Sequence, residues 1–184
     1  LIARLNAPLP LRYWCEDESR MGLKTELGRV ITARGVKPIA PVQWVRQAFY
    51  LYGIVEPRTG ESFFYEFSHL DSVCFERFLK LVSEAYPQSL NVIQTDNASA
   101  HTAANIEIPD NVVLVFQPAH SPELNPIEQV WMDIKADLKN EIFGTLDDLR
   151  NAITEVLSYL SPDWIASLSG YSYILSALSV AGIH

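Results

Sequence analysis

Two apolar runs in this chain each close on an aspartate. Leu11-Arg-Tyr-Trp-Cys-Glu-Asp17 and Leu90-Asn-Val-Ile-Gln-Thr-Asp96 have the length and the branched and aromatic content of short buried strands. Read this way, one strand ends at Asp17 and the other at Asp96. In open α/β sheets ligands gather outside the carboxyl ends of the strands, where loops and helix N-termini open outward. The pattern therefore delivers two carboxylates to one functional edge. Taken singly, each has a plainer reading: Asp17 as a strand-end turn former, Asp96 as an Asx-turn or helix cap.

A third carboxylate comes from Ser121-Pro-Glu-Leu-Asn-Pro-Ile-Glu-Gln-Val-Trp131. Asn125 is a good N-cap, Pro126 suits the first helical position, and Glu128 falls three residues after the cap. The helix predicted from Pro126 to about Ile142 puts Ile127, Val130, Trp131, Ile134 and Leu138 on one face. The same spacing describes a capping box, in which Glu128 would fold back onto the backbone N–H of the cap. If Asp17, Asp96 and Glu128 converge instead, their repulsion raises their pKa values unless a cation sits between them, so such a cluster calls for a metal.

With 184 residues and 48% hydrophobic content, the chain is sized for one well-buried domain spanning 1–184. It begins with Leu and carries no basic-then-apolar leader, so it reads as a piece of a longer cytoplasmic protein. Cys15 falls in a predicted strand and Cys74 in a predicted helix, which makes neither a disulfide framework nor a thiolate metal site and fits a reducing compartment. Ile165 to Ile183 is free of charge over 19 residues, but five serines and two glycines favour a packed C-terminal helix over a membrane span. A net charge of −8 argues against nucleic-acid binding on average. Locally the balance reverses: six basic residues stand between Arg20 and Arg46 against the single acid Glu26.

Residues 18–45, with Gly22, Gly28, Gly35, Pro38 and Pro41, read as a long insertion loop holding a hairpin at Arg29 to Ala33. Gln47 to Val55 reads as an interior strand and Ser62 to Phe67 as its antiparallel partner. Cys74, Phe78, Leu81, Val82 and Ala85 recur at helical spacing over Asp71 to Tyr86, before Pro87. Asn97 to Ala104 reads as a short helix and Val112 to Phe116 as another buried strand. Thr145 with Asp148, and Ser161 with Pro162, mark two further helix starts.

Asp17-Glu-Ser-Arg20, Thr95-Asp-Asn-Ala-Ser-Ala-His101 and Ser121-Pro-Glu-Leu-Asn-Pro-Ile-Glu-Gln-Val-Trp131, in that order, resemble the DDE endonuclease domain of transposases in the bacterial insertion-sequence branch of the Tc/mariner superfamily. The likeness runs from about Leu11 to the last helix. It implies an α/β, ribonuclease-H-like fold: a mixed five-stranded sheet flanked by helices, with a long insertion after the first strand. It also implies cutting and joining of DNA at transposon ends. Matched residue by residue, the triad is Asp17, Asp96 and Glu128, expected to hold two Mg2+ or Mn2+ ions. The 31 residues between Asp96 and Glu128 are slightly fewer than the family pattern, a shortening that falls in the loop around Glu107 to Asn111. The helix-turn-helix region that usually precedes such a domain is not read here.

Hard oxygen ligands without a cysteine or histidine cluster point to magnesium or manganese rather than zinc. Arg20, Lys24, Arg29, Arg34 and Lys37 are the candidates for DNA backbone contact, against the plainer reading of a solvated basic surface. Glu18 and Asn97 are candidate outer partners of the aspartates. His101 reads as a hydrogen-bonded structural histidine, and His120 as a loop residue near the entrance. The expected partners are transposon-end and target DNA, with a homodimer on DNA, no membrane and a cytoplasmic, nucleoid-associated location. A host nuclease of the same fold, resolving junctions or cutting RNA/DNA hybrids, and a catalytically lapsed DNA-binding or assembly module remain the alternatives.

Overall fold

The structure, a computed structural model, describes residues 9–103, 106–118 and 121–182. Its frame is a five-stranded sheet. The strands are β1 (Leu11–Gly22), β2 (Ala48–Val55), β3 (Ser62–Phe67), β4 (Leu90–Thr95) and β5 (Val112–Phe116), in the order β3-β2-β1-β4-β5. β1 pairs antiparallel with β2 and parallel with β4, so it lies at the junction of the two halves. The helices are α1 (Ser72–Ala85), α2 (Ile127–Asp137), α3 (Leu146–Tyr159), α4 (Pro162–Ser169) and α5 (Ser172–Val180).

Side chains on a strand alternate between faces, and β1 applies this with unusual consequence. Trp14 goes to the α1 face, where Tyr52, Ile54, Ile93 and Val112 close over Phe75, Phe78, Leu79 and Val82. Cys15 goes to the opposite face, packed with Phe49, Leu51 and Val55 under Ile127, Val130, Trp131 and Ile134 of α2 and under Leu149, Ile153 and Ile165. The acids continue the alternation: Asp17 shares the α2 face with Cys15, and Glu16 and Glu18 share the α1 face with Trp14.

Several expected boundaries move. β1 does not stop at Asp17: its parallel pairing ends at Cys15 opposite Gln94, but antiparallel pairing to β2 carries it on to Gly22. Asp17 is therefore mid-strand, two residues past the end of the parallel ladder. The insertion is correspondingly an arm over 23–47, opened by Leu23 N–H to Gln47 O at 3.0 Å and Thr25 N–H to Gln43 O at 3.1 Å. Its turn falls at Ala33–Val36, with Gly35 at φ +85°, later than the Arg29–Ala33 hairpin expected. β5 is an edge strand, buried at Val112 and Val113 as expected but with Val115 and Phe116 about 40% exposed. Residues 98–102 form turns where a short helix was expected. α2 ends at Asp137, short of Ile142, because Asn140 takes φ +65° and ties the chain to the arm through Asn140 N–H to Glu26 O and Gly28 N–H to Asn140 Oδ1. The C-terminal apolar run is two helices, α4 and α5, broken at Gly170. Thr145 and Asp148 do form a capping box, and Pro162 does open α4 behind Ser161. Both cysteines are free. No described helix is long and apolar enough to cross a membrane.

Candidate active site

Asp17 is placed by the central strand and held from above. The Trp131 indole N–H donates to its Oδ2 at 3.0 Å, reaching down from α2. What lets the ring come that close is Gly53, the β2 residue opposite Asp17. A Cβ there would lie 2.7 Å from the Phe64 ring and 2.8 Å from Trp131. Phe64 in turn meets Trp131 edge-on, with centroids 5.6 Å apart. Three residues of three elements thus fix one carboxylate oxygen.

Glu128 faces Asp17 from the first turn of α2. Asn125 does not cap that helix: the N-cap position is Pro126, with no side-chain hydrogen bond, so the capping-box reading of Glu128 fails. The Asn125 amide instead donates to the Glu16 carbonyl at 2.7 Å, buried, and stitches the start of α2 to β1. This tie holds the helix start that carries Glu128 against β1. Burial raises the Asp17 carboxyl, and the charges of Glu128 and then Glu18 raise it further, to about 7.

Asp96 follows β4 directly. The β1–β4 register pairs Leu11 with Leu90 and Cys15 with Gln94; continued for two residues, it sets Asp96 level with Asp17 on the neighbouring strand. Its carboxylate, however, turns toward His101: Oδ1 takes the Ala98 N–H at 2.8 Å and lies 2.7 Å from His101 Nδ1. Glu128 thus stands near enough to Asp17 for its charge to act there, and Asp96 is level with Asp17 by backbone register, with its Oδ1 turned to His101.

On the α1 face of β1 lies a group of acids the motif reading did not feature. His101 Nε2 is 2.9 Å from Glu18 Oε1, and Glu16, fully buried, accepts the Thr95 hydroxyl at Oε2 at 2.6 Å. Glu16 Oε1 has no partner among the described residues. Burial and the charge of Glu18 push the Glu16 carboxyl well above the ordinary range. Burial alone would lower His101; the hydrogen bond to Glu18 and the charges of Glu16, Glu18 and Asp96 outweigh it and raise His101 to about 10. One ligand atom each from Glu16, Glu18 and His101 lie within 4.8 Å of one another, but His101 itself supplies the positive charge there. The alternating Glu16-Asp17-Glu18 in a predicted strand is the signal that acids stand on both faces. Nothing in the spacing showed which face His101 would take.

Of the basic candidates, Arg20 donates to the Arg46 carbonyl at 3.2 Å, and the Lys24 ammonium stands 4.9 Å from the centroid of Trp44. Arg29, Arg34 and Lys37 lie exposed along the arm beside Val30, Ile31, Val36 and Ile39, also exposed. Asn97 donates to the Gln117 carbonyl at 2.5 Å, a tie between the β4 and β5 ends, not to an aspartate. His120 lies outside the described residues.

The profile of the DDE superfamily endonucleases matches residues 12–150. The uncharacterized protein y4pE/y4sA of Sinorhizobium fredii is 32% identical over 102 residues, covering 54% of this chain and 76% of that protein. Among solved structures, the Mos1 transposase paired-end complex with left transposon end superposes with a TM-score of 0.68 at 12% identity, over 91% of this chain and 54% of that one. The Mos1 mariner paired-end complex with Mn superposes with a TM-score of 0.65 at 14% identity, over 85% of this chain and 51% of that one. The chain spans about half the length of these transposases. The fold is ribonuclease-H-like, a mixed five-stranded sheet between helices.

Proposed function

The chain belongs to the DDE superfamily of endonucleases, and from that premise we propose that it is the catalytic domain of a transposase, cutting DNA at transposon ends and joining the exposed 3′-OH to target DNA. The observation that carries this reading is the facing of Asp17 and Glu128, one held by Trp131 on the central strand and the other freed from capping at the start of α2.

The donor set fits divalent cations. Asp17 is a half-buried carboxylate made harder to ionise by burial and by the charge of Glu128, the condition that a bound cation relieves. Its neighbours offer oxygen, while Cys15 is closed in the core and Cys74 belongs to α1 on the other face, so magnesium or manganese suits the site and a thiolate-bound metal does not. Asp17 would be the shared ligand, holding one ion with Asp96 and a second with Glu128. Ions held there would neutralise charge on the attacking and leaving oxygens of an in-line displacement.

The residues of the chain orient that chemistry. Trp131 keeps Asp17 in one rotamer, and the Asn125 tie fixes where Glu128 stands relative to the strand. In the first reaction a water oxygen bonds to phosphorus as the 3′ oxygen leaves and takes a proton. In the second, the exposed 3′-OH attacks a target phosphodiester, displacing the 3′ oxygen of the target strand. Arg20, Lys24, Arg29, Arg34 and Lys37 would grip the DNA backbone, and two copies would act together on paired ends. The exposed apolar residues of the arm give such a pair a surface to share.

The test is a fluorescent duplex with an exposed 3′-OH, incubated with a supercoiled plasmid and Mn2+. The parent protein should nick the plasmid and join the label to it; Asp17→Asn, Asp96→Asn and Glu128→Gln proteins that remain folded should do neither. Nicking without joining would identify a host nuclease of this fold. A folded protein inert in both, and without millimolar Mn2+ affinity, would be a lapsed binding module.

A further inference from the structure

The triad leaves unassigned the histidine that braces the edge of the sheet. We propose that His101 is a positioning residue for Asp96: bridged to Glu18 through Nε2 and to Asp96 Oδ1 through Nδ1, it sets the aspartate so that Oδ2 is the oxygen presented to a divalent ion. The inference rests on Asp96 being a metal ligand, and adds what orients it.

Geometry makes the case. Both ring nitrogens meet carboxylate oxygens, Nε2 at 2.9 Å from Glu18 and Nδ1 at 2.7 Å from Asp96. The Thr95 hydroxyl also stands 3.0 Å from Nδ1, so the ring is pinned at both of its nitrogens. A histidine serving packing alone needs no such pair. His101 is 3% exposed, and its ring lies tilted against Phe75 with centroids 4.3 Å apart, which leaves it little room to turn. The two carboxylates differ in freedom. Glu18 is buried on the continuous central strand, its side chain 5% exposed, whereas the Asp96 side chain is 45% exposed at the start of a turn. The strut thus runs from a buried carboxylate to an exposed one. The turn itself assists: Ala98 N–H shares Oδ1 of Asp96, and His101 N–H closes the turn onto the Ala98 carbonyl at 3.0 Å. Both contacts fall on Oδ1, which leaves Oδ2 outside them on a side chain that is 45% exposed.

Trp131 does the corresponding task for Asp17, by a neutral N–H from the opposite face. The Glu16, Glu18 and His101 group is not read as an ion site of its own, since an ion there would have to displace the Glu18 contact that Nε2 already makes.

Calorimetric titration of Mn2+ into the parent, His101→Gln, Glu18→Ala and Asp96→Asn proteins, with thermal unfolding as the check on folding, tests the assignment. Outer partners of metal ligands typically contribute about 10–100-fold in affinity. The expected result is Mn2+ binding about tenfold weaker in His101→Gln, an equal rise in the Mn2+ needed for half-maximal cleavage, and a rate approaching the parent's at saturating Mn2+. Parental Mn2+ affinity in folded His101→Gln would overturn the proposal. Should that variant not fold, Glu18→Ala decides: a shift in the same direction supports the strut, and unchanged affinity refutes it. If Asp96→Asn binds and cuts as the parent does, the triad reading fails and this inference with it. If Asp96→Asn is inert while His101→Gln keeps parental affinity, only this inference fails.

Discussion

Asp17 is the residue on which burial, charge and hydrogen bonding pull hardest. Its folded pKa, about 7, lies above the value of about 3.9 for an unfolded aspartate, so ionisation favours unfolding. Stability from this group is complete below about pH 4 and is lost as pH rises through about 7. His101 acts in the same sense: raised in the folded state, it adds stability below about 6.5 that is lost as pH climbs toward 10. The metal-free protein should therefore melt at a lower temperature at pH 8 than at pH 5, and millimolar Mn2+ should raise the midpoint more at pH 8. A midpoint that is flat or rising with pH in scanning calorimetry would contradict this. Trp131→Phe keeps an aromatic side chain but removes the donor and part of the packed indole; it should cost more than the about 1 kcal/mol of the hydrogen bond alone by urea unfolding and weaken Mn2+ binding by calorimetry. The sequence showed that Trp131 faces the core, through its spacing with Ile127 and Ile134. It could not show the indole N–H reaching Asp17, because that contact needs a glycine opposite, which only strand register supplies.

At the scale of elements, the β1–β2 ladder does more than the sequence disclosed. Glu16 to Arg20 is polar enough to read as the end of a strand, and the pairing with β2 that carries it onward is a long-range fact. Within that ladder Gly53→Ala should destabilise by about 1–3 kcal/mol, as overpacking does, and should move Trp131 off Asp17, lowering Mn2+ affinity with it; unaltered unfolding in urea would show that the Phe64–Trp131 contact yields freely. Asn125 and Pro126 were legible as a helix start, but the amide's choice of the Glu16 carbonyl over the helix N–H groups depends on how close β1 passes. The arm was legible as long and basic. Replacing Arg29, Arg34 and Lys37 together with Gln should lower the slope of log affinity against log salt by about 3 on duplex DNA, at roughly 0.9 per phosphate contact. An unchanged slope in fluorescence anisotropy would remove these residues from the DNA interface.

At the scale of the molecule, strand count, the antiparallel β2–β3 pair and α1 with its apolar face followed from period and turn signals, because each is a local pattern repeated over enough residues. The edge position of β5, the turns at 98–102 and the break at Gly170 did not, since each depends on what packs alongside. Gly170 shows why: a Cβ there would come 3.2 Å from the Pro57 carbonyl, far off in sequence. The acids divided themselves between two faces of one strand, and this division bears on the metal. One face gathers Asp17 and Glu128, with Asp96 level in register; the other gathers Glu16, Glu18 and His101 around an internal cation. Anomalous diffraction from crystals soaked in Mn2+ distinguishes them directly. Manganese bound by oxygens of Asp17, Asp96 and Glu128 is the expected result; manganese absent at millimolar concentration, or seated between Glu16, Glu18 and His101, would contradict it.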